Sequence, residues 1–299
     1  MKVLIFGASG FIGKYLVDEL QKVGHSITAV SRSKNKLEKI FEDVGTVQLG
    51  SSADMQSAIR NSDAIINLAG ASLAKPWTRS RKEKIRKSRI DFSRQILDMI
   101  GKSGHTPKVF LQGSAIGIYG DRDEDALTEE AAAGNGFLAN VVQGWEDVIR
   151  KSGLDCRKVY LRTGLVLGND GGLLPLAALP VKMFLGGHIG NGKQWYPWIH
   201  VHDEVRVIRF VLENEQVNGP VNLVSPGIVR QKEFIQQLAA VMNRPSWLHI
   251  PSFVLKGLLG EMAREMLLPS QKVIPAKLMQ TGFDFEYKEL KESLIHLLK

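Results

Sequence analysis

The sequence predicts an α/β fold: a doubly wound parallel sheet with a smaller, mainly helical C-terminal lobe. Strand-length aliphatic runs alternate with helix-length segments through the first half, the runs lack polar alternation, and a glycine-rich turn joins the first run to the first helix. A strand that is apolar along its whole length is buried on both faces, which requires helices above and below the sheet. Val3–Phe6 opens the series and leads into a helix over residues 11–23. Ser26–Val30 is the second strand, and Asp63–Leu68, Lys108–Gln112 and Arg157–Arg162 continue the set. After about residue 165 the rhythm breaks into segments 165–180 and 186–200, rich in glycine, proline and aromatics, as loops over a cleft often are. Asp203–Glu213 resumes a helical pattern and Gly219–Val224 reads as a further strand. About seventy mostly helical residues follow, interrupted at Pro269 and Pro275. The expected division is a nucleotide-binding core over 1–165 and about 197–225, with a substrate-side lobe from 166–196 and 226–299.

Composition narrows the function classes. A chain of 299 residues with 44% hydrophobic and 23% charged residues can bury a sizeable core, which excludes disorder and collagen-like repetition. The single cysteine, Cys156, excludes an internal disulfide and a multi-thiolate metal site, so a packed thiol in a reducing, cytoplasmic compartment is expected. Apolar residues nowhere run to the length of a membrane span. The N-terminal run is broken by glycine and serine and by charges at Lys14, Asp18 and Glu19, unlike a secretory signal. The net charge of +8 favours anionic ligands, and phosphorylated small molecules satisfy it as well as nucleic acid does. The basic stretch Thr78–Arg89 has three readings: a solvated helix face, a substrate-side anion site that includes Arg89, or a nucleic-acid contact. No nucleic-acid module accompanies it, so a small molecule is the expected partner.

Gly7-Ala8-Ser9-Gly10-Phe11-Ile12-Gly13 lies directly between the first strand and the first helix. Glycines at that spacing serve a tight turn, close approach of backbone N–H groups to a pyrophosphate, and helix–sheet contact, which makes the fold Rossmann-like. A P-loop is excluded, because no glycine stands at the required distance before Gly13-Lys14 and Tyr15 replaces the Ser/Thr. An NAD site would carry Asp or Glu at the end of the second strand. Ser31-Arg32-Ser33-Lys34 stands there instead, and the first acid is Glu38. A guanidinium flanked by hydroxyls suits the 2′-phosphate of NADP(H).

Asn67-Leu68-Ala69-Gly70, Ser114 with Ile118-Tyr119-Gly120-Asp121, and Trp198–Asp203 together resemble the short-chain dehydrogenase/reductase superfamily, in its extended, epimerase/dehydratase-like branch. The stretches 162–168, 186–203 and 260–278 are similar to an uncharacterised "epimerase family" group with a C-terminal domain of unknown function. The resemblance spans the chain. It implies NADP(H) contacts at Gly7, Ser9, Gly10, Phe11, Ile12, Gly13, Ser31, Arg32, Ser33, Leu68, Ala69, Gly70, Gly113 and Arg162.

The superfamily's chemistry uses Tyr-x-x-x-Lys on the helix after the fifth strand, where the ammonium lowers the tyrosine pKa. Tyr15, Tyr119, Tyr160 and Tyr196 lack a lysine four residues on; Tyr287 has Lys291, but in the tail. Aligned on Glu146, the dyad positions hold Leu138 and Val142. The remaining candidates for proton donation are Tyr119 and Ser114. Substrate-side candidates are Arg89, Lys193, Gln194, Trp195, Trp198 and His200, an aromatic and cationic set suited to a planar or sugar-like ligand bearing an acidic group. No metal is expected, because His200 and His202 alone form a poor ligand set. Met262, Met266, Leu267 and Leu268 recur at helical spacing and read as core. The expected function is an NADP(H)-binding, oxidoreductase-like protein acting on a small polar substrate. The alternatives are a non-catalytic NADP(H) sensor and a sugar-nucleotide epimerase.

Overall fold

The computed structural model describes residues 1–299. Its centre is a seven-stranded, all-parallel sheet: β1 (Lys2–Phe6), β2 (Ser26–Ser31), β3 (Gly45–Gln48), β4 (Ala64–Asn67), β5 (Val109–Ala115), β6 (Arg157–Thr163) and β7 (Gly219–Leu223), in spatial order β7-β6-β5-β4-β1-β2-β3. The order reverses between β1 and β4, and ligands of doubly wound sheets bind at the carboxyl edge of such a switch point. The helices used below are α1 (Phe11–Lys22), α2 (Ser52–Arg60), α3 (Arg79–Lys87), α4 (Ile90–Ser103), α5 (Phe137–Arg150), α6 (Leu174–Lys182), α7 (Val201–Glu213), α8 (Gln231–Val241), α9 (Ser252–Leu259) and α10 (Leu290–Leu298).

The five inner strands feed two cores. In β1, Val3 and Ile5 join the cluster that contains Leu16, Val17 and Leu20 of α1 with Val205, Ile208 and Leu212 of α7. Leu4 and Phe6 point the other way, into a cluster with Met55 and Ile59 of α2, Ile96 and Ile100 of α4 and Ile149 of α5. This alternation of side chains between two buried faces is why the strands carry no polar residue at every second position.

The edge strand β3 carries no sequence signal of the kind the others show, because Val47 is its only large apolar residue. Beyond β6, Leu165–Leu167 pairs in parallel with Trp198–His200, and α7 then leads to β7. A separate apolar cluster joins Leu174 and Val181 of α6, Trp198, Phe234 and Leu238 of α8, and Leu290 and Leu294 of α10. The tail contains short strands as well as helices: Leu248–Ile250 pairs with Gly187–Ile189, and Lys272–Val273 with Ala126–Leu127. Met262 is buried in this region, while Met266, Leu267 and Leu268 are half-buried.

The tail is tied to the core at defined points. The Glu265 carboxylate accepts from the amides of Phe137 and Leu138 (both 2.8 Å), satisfying the N-terminus of α5. Glu261 pairs with Lys82 of α3 at 2.8 Å. Asp203 accepts from the amides of Glu286 and Tyr287 at 3.0 and 2.8 Å. No helix is long and apolar enough to cross a membrane.

Candidate functional site

The carboxyl edges of β1, β2 and β4 converge on the turn before α1. Gly7 sits at φ +87°, and a Cβ there would lie 2.8 Å from the Leu68 carbonyl carbon. A Cβ on Gly13 would lie 2.4 Å from the Gly7 oxygen. Neither position admits a side chain, so the turn stays flat and its backbone exposed. Gly10 caps α1 without a side-chain hydrogen bond, and no acid occupies the first turn, so the amides at the start of the helix remain open to an anion. Ser9, Phe11 and Ile12 are half-buried beside them. The Phe11 ring lies against the glycines of the 168–172 loop, where a Cβ on Gly171 would come within 2.4 Å of it.

Ser31 is half-buried at the end of β2, and Arg32 and Ser33 are exposed. The Ser31 hydroxyl accepts from the Ser33 amide at 3.3 Å, while Arg32 has no carboxylate within ion-pair distance. Leu68, Ala69 and Gly70 follow β4 along the same edge. Asn67 lies beneath them, its amide donating to Ser93 (3.1 Å) and Gln112 (3.2 Å) and its oxygen accepting from the Ala69 amide at 3.2 Å.

Several expected site residues are enclosed instead. Tyr119 is 0% exposed. Its hydroxyl donates to Asn222 at 2.6 Å and accepts from Arg162 Nη1 at 2.9 Å. Burial raises its pKa against the opposing Arg162 charge, and the hydroxyl has no solvent-facing lone pair or proton for a substrate. Ser114, also buried, donates to Glu146 at 2.6 Å. Arg162 makes a two-point ion pair with Glu146 (Nε–Oε1 2.9 Å, Nη2–Oε2 3.0 Å) and a further bond to the Glu129 carbonyl. The network Ser114–Glu146–Arg162–Tyr119–Asn222 therefore staples β5, α5, β6 and β7 together below the cleft. The Ser114 and Tyr119 hydroxyls and the Arg162 guanidinium are thus each engaged by partners within the protein. Gly113 is closely packed: a Cβ there would lie 2.7 Å from the Asn67 carbonyl and 3.0 Å from the Trp145 ring.

The dyad positions on α5, Leu138 and Val142, are buried and apolar. On the lobe side, Trp198 is core, its indole donating to the Gly227 carbonyl at 2.8 Å. Gln194 is buried and donates to the Ile189 carbonyl. His200 is buried, stacked on Tyr287 at 3.8 Å and 3.1 Å from His296; burial and the neighbouring imidazoles hold its pKa down to about 3. The side chains of those three residues are enclosed by protein. Trp195 is half-buried and covered by the Arg230 guanidinium at 3.7 Å, with Glu124 bridging the pair, and Lys193 is exposed. Arg89 stands at the carboxyl edge, its guanidinium against Gly70.

Two features went unread in the sequence. Arg162 is the one charge in the buried stretch Val159–Arg162 of its strand, a pattern that signals a buried ion pair, and Glu146 answers it from α5. Glu204 of α7 is wholly buried: one oxygen accepts from Thr163 at 2.8 Å and the other has no partner. Burial pushes its carboxyl up to about 8 against that single hydrogen bond.

Comparison with known proteins fits this geometry. The family model described as "NAD dependent epimerase/dehydratase family" matches residues 3–224. The chain belongs to that family. A second model, "Domain of unknown function (DUF1731)", matches residues 250–297. The chain is 38% identical over 298 residues to the chloroplastic SDR39U1 homologue of Arabidopsis thaliana, covering 98% of this chain and 86% of that protein. It is 36% identical over 301 residues to the epimerase family protein YfhF of Bacillus subtilis, covering 100% and 98%. The crystal structure of human epimerase family protein SDR39U1 (isoform 2) with NADPH superposes with a TM-score of 0.88 at 30% identity, covering 99% of each chain. UDP-glucose 4-epimerase from Thermus thermophilus, in complex with NAD, shares the fold at a TM-score of 0.77 and 16% identity. The fold is a Rossmann fold of the NAD(P)-binding type.

Proposed function

We propose that this chain is an NADP(H)-dependent oxidoreductase acting on a small polar substrate without a Tyr-x-x-x-Lys dyad. The carrying observation is the end of β2, where Ser31, Arg32 and Ser33 offer hydrogen-bond donors, no acid stands among them, and Arg32 is exposed and unpaired. A carboxylate there would accept from a ribose 2′-hydroxyl; a guanidinium favours a 2′-phosphate. The cradle fits the rest of the coenzyme: Gly7 and Gly13 exclude side chains, the amides around Gly10, Phe11 and Ile12 suit a pyrophosphate, and Ser9, Leu68, Ala69 and Gly70 border it. The human relative crystallised with NADPH supports the same choice of coenzyme.

When bound, NADPH supplies a hydride. Leu138 and Val142 hold no proton at the dyad positions, and Ser114 and Tyr119 spend theirs inside the core network. None of these four positions offers a free proton, so a proton accompanying reduction would come from water or from the substrate. The same residues favour a second reading, a non-catalytic NADP(H)-binding module whose partner affinity follows the redox state of the coenzyme. NADPH oxidation followed at its absorbance band across a panel of carbonyl substrates separates the two. Turnover with any class supports the enzyme. Tight NADPH binding with no turnover across the panel supports the module. Calorimetry with UDP- and GDP-sugars tests the sugar-nucleotide epimerase alternative, which requires that one of them bind.

A further inference from the structure

Two arginines stand beside the end of β4 with no carboxylate paired to either. Arg89 lies at the joint between α3 and α4, pressed so close to Gly70 that a Cβ there would lie 3.1 Å from the guanidinium carbon. Its guanidinium lies over the Trp145 ring at 5.2 Å. Nη1 is pinned by the carbonyls of Ala71 (3.1 Å) and Ile85 (3.4 Å). Nε and Nη2 make no hydrogen bond within the protein, and these two form the edge of a guanidinium that grips a carboxylate or phosphate at two points. Arg81 stands close by, its Nη2 donating to the Ser72 carbonyl and its Nε buried with no partner.

The acids that could serve these arginines are committed elsewhere. Glu83 pairs with Arg86 and Lys87, Asp91 with Arg86 and Arg94, Glu261 with Lys82, and Glu146 with Arg162 and Arg150. Burial, with the like charge of Arg81 adding to it, pulls Arg89 down to about 10. Arg89 is half-buried, so its guanidinium is partly desolvated without a counter-ion, and an arriving anion relieves that cost. Trp145 and the two carbonyls fix the plane of Arg89, so little rotamer freedom is lost when an anion docks.

We propose that Arg89, seconded by Arg81, receives the carboxylate or phosphate group of the substrate at the β4 edge of the cleft. This rests on the oxidoreductase reading above and names its substrate class: small oxyanion-bearing molecules. The rival source of the same chemistry is the coenzyme's own pyrophosphate, and the experiment separates the two.

Calorimetry on the full chain first measures NADPH affinity for wild type, Arg89→Met, Arg89→Lys and Arg81→Met. The NADPH-saturated proteins are then titrated with malonate and with inorganic phosphate. Wild type should bind at least one probe saturably. Arg89→Met should weaken it about 10-fold or more, the worth of a charge-assisted pair. Arg89→Lys should also weaken it, because an ammonium lacks the two-point edge, and Arg81→Met should have a smaller effect in the same direction. NADPH affinity should change less than about 3-fold in every variant. An equal loss of NADPH and probe affinity in Arg89→Met would overturn the proposal and assign Arg89 to the pyrophosphate. So would failure of both probes to bind wild type, or probe affinity unchanged in Arg89→Met. If wild type takes up no NADPH, the function reading falls by itself, and the probe titrations on the coenzyme-free proteins still decide the anion site. Thermal unfolding of Arg89→Met and of Arg89→Lys, which keeps the charge and stem beside the Ala71 carbonyl, confirms that weakened binding is not lost folding.

Discussion

Replacing Glu204 with glutamine should remove a pH dependence that the wild-type fold carries. The carboxyl is wholly buried, holds one hydrogen bond from Thr163 and faces no cation, so its pKa rises from an ordinary 4.5 to about 8. The folded chain therefore keeps a proton that the unfolded chain releases. The stabilisation is complete below about pH 4.5 and is lost as pH rises through about 8. At about 1.4 kcal/mol per pH unit, the loss approaches a ceiling of about 5 kcal/mol. His200 works in the opposite sense: held down to about 3 from 6.5, it stays neutral when folded, and its contribution, present above pH 6.5, is lost as pH falls. The two slopes nearly cancel between pH 4.5 and 6.5, so the wild-type decline emerges between 6.5 and 8, at about 2 kcal/mol. Urea unfolding by circular dichroism at pH 5, 6, 7, 8 and 9 measures both proteins. The difference between them should grow with pH, with Glu204→Gln the more stable at pH 8. Parallel curves across that range would refute the assignment of Glu204 as a carboxyl held neutral by burial.

Arg162→Met should remove the two-point partner of the buried Glu146 carboxylate, leaving it only Ser114 and the half-exposed Arg150, and cost about 3 kcal/mol, visible as a lowered Tm. Tyr119→Phe should cost about 1–3 kcal/mol of stability, by stranding Asn222 and an Arg162 donor, while NADPH affinity stays within about 2-fold of wild type by fluorescence titration. Gly13→Val should abolish NADPH binding or folding, since even a Cβ would lie 2.4 Å from the Gly7 carbonyl; circular dichroism distinguishes the two outcomes.

The sheet was legible because burial on both faces leaves a plain mark: Val3–Phe6 and Ala64–Ile66 admit almost no polar atom. The glycine turn was legible for a steric reason, since Gly7 and Gly13 stand where a side chain would strike backbone. β3 escaped notice because an edge strand of four residues needs only one apolar anchor. Trp198 and His200 look like ligand-binding types in a loop-like composition, yet they form a short strand paired with Leu165–Leu167 and turn inward. Ser114, Tyr119 and Arg162 lie close together. Their donors and acceptors close on one another through Glu146 and Asn222, long-range pairings that local sequence does not encode. Arg89 was legible as a candidate anion contact, but which of its nitrogens the Ala71 carbonyl occupies and which stay open is set by the fold.

The coenzyme preference set at the end of β2 carries the functional account. Quenching of tryptophan fluorescence by NADPH and by NADH, on wild type and on Arg32→Ala, measures it directly. Wild type should prefer NADPH by about 10-fold or more, the worth of a two-point guanidinium–phosphate contact, and Arg32→Ala should erase most of that ratio. Equal affinities in wild type, or tighter uptake of NADH, would contradict it.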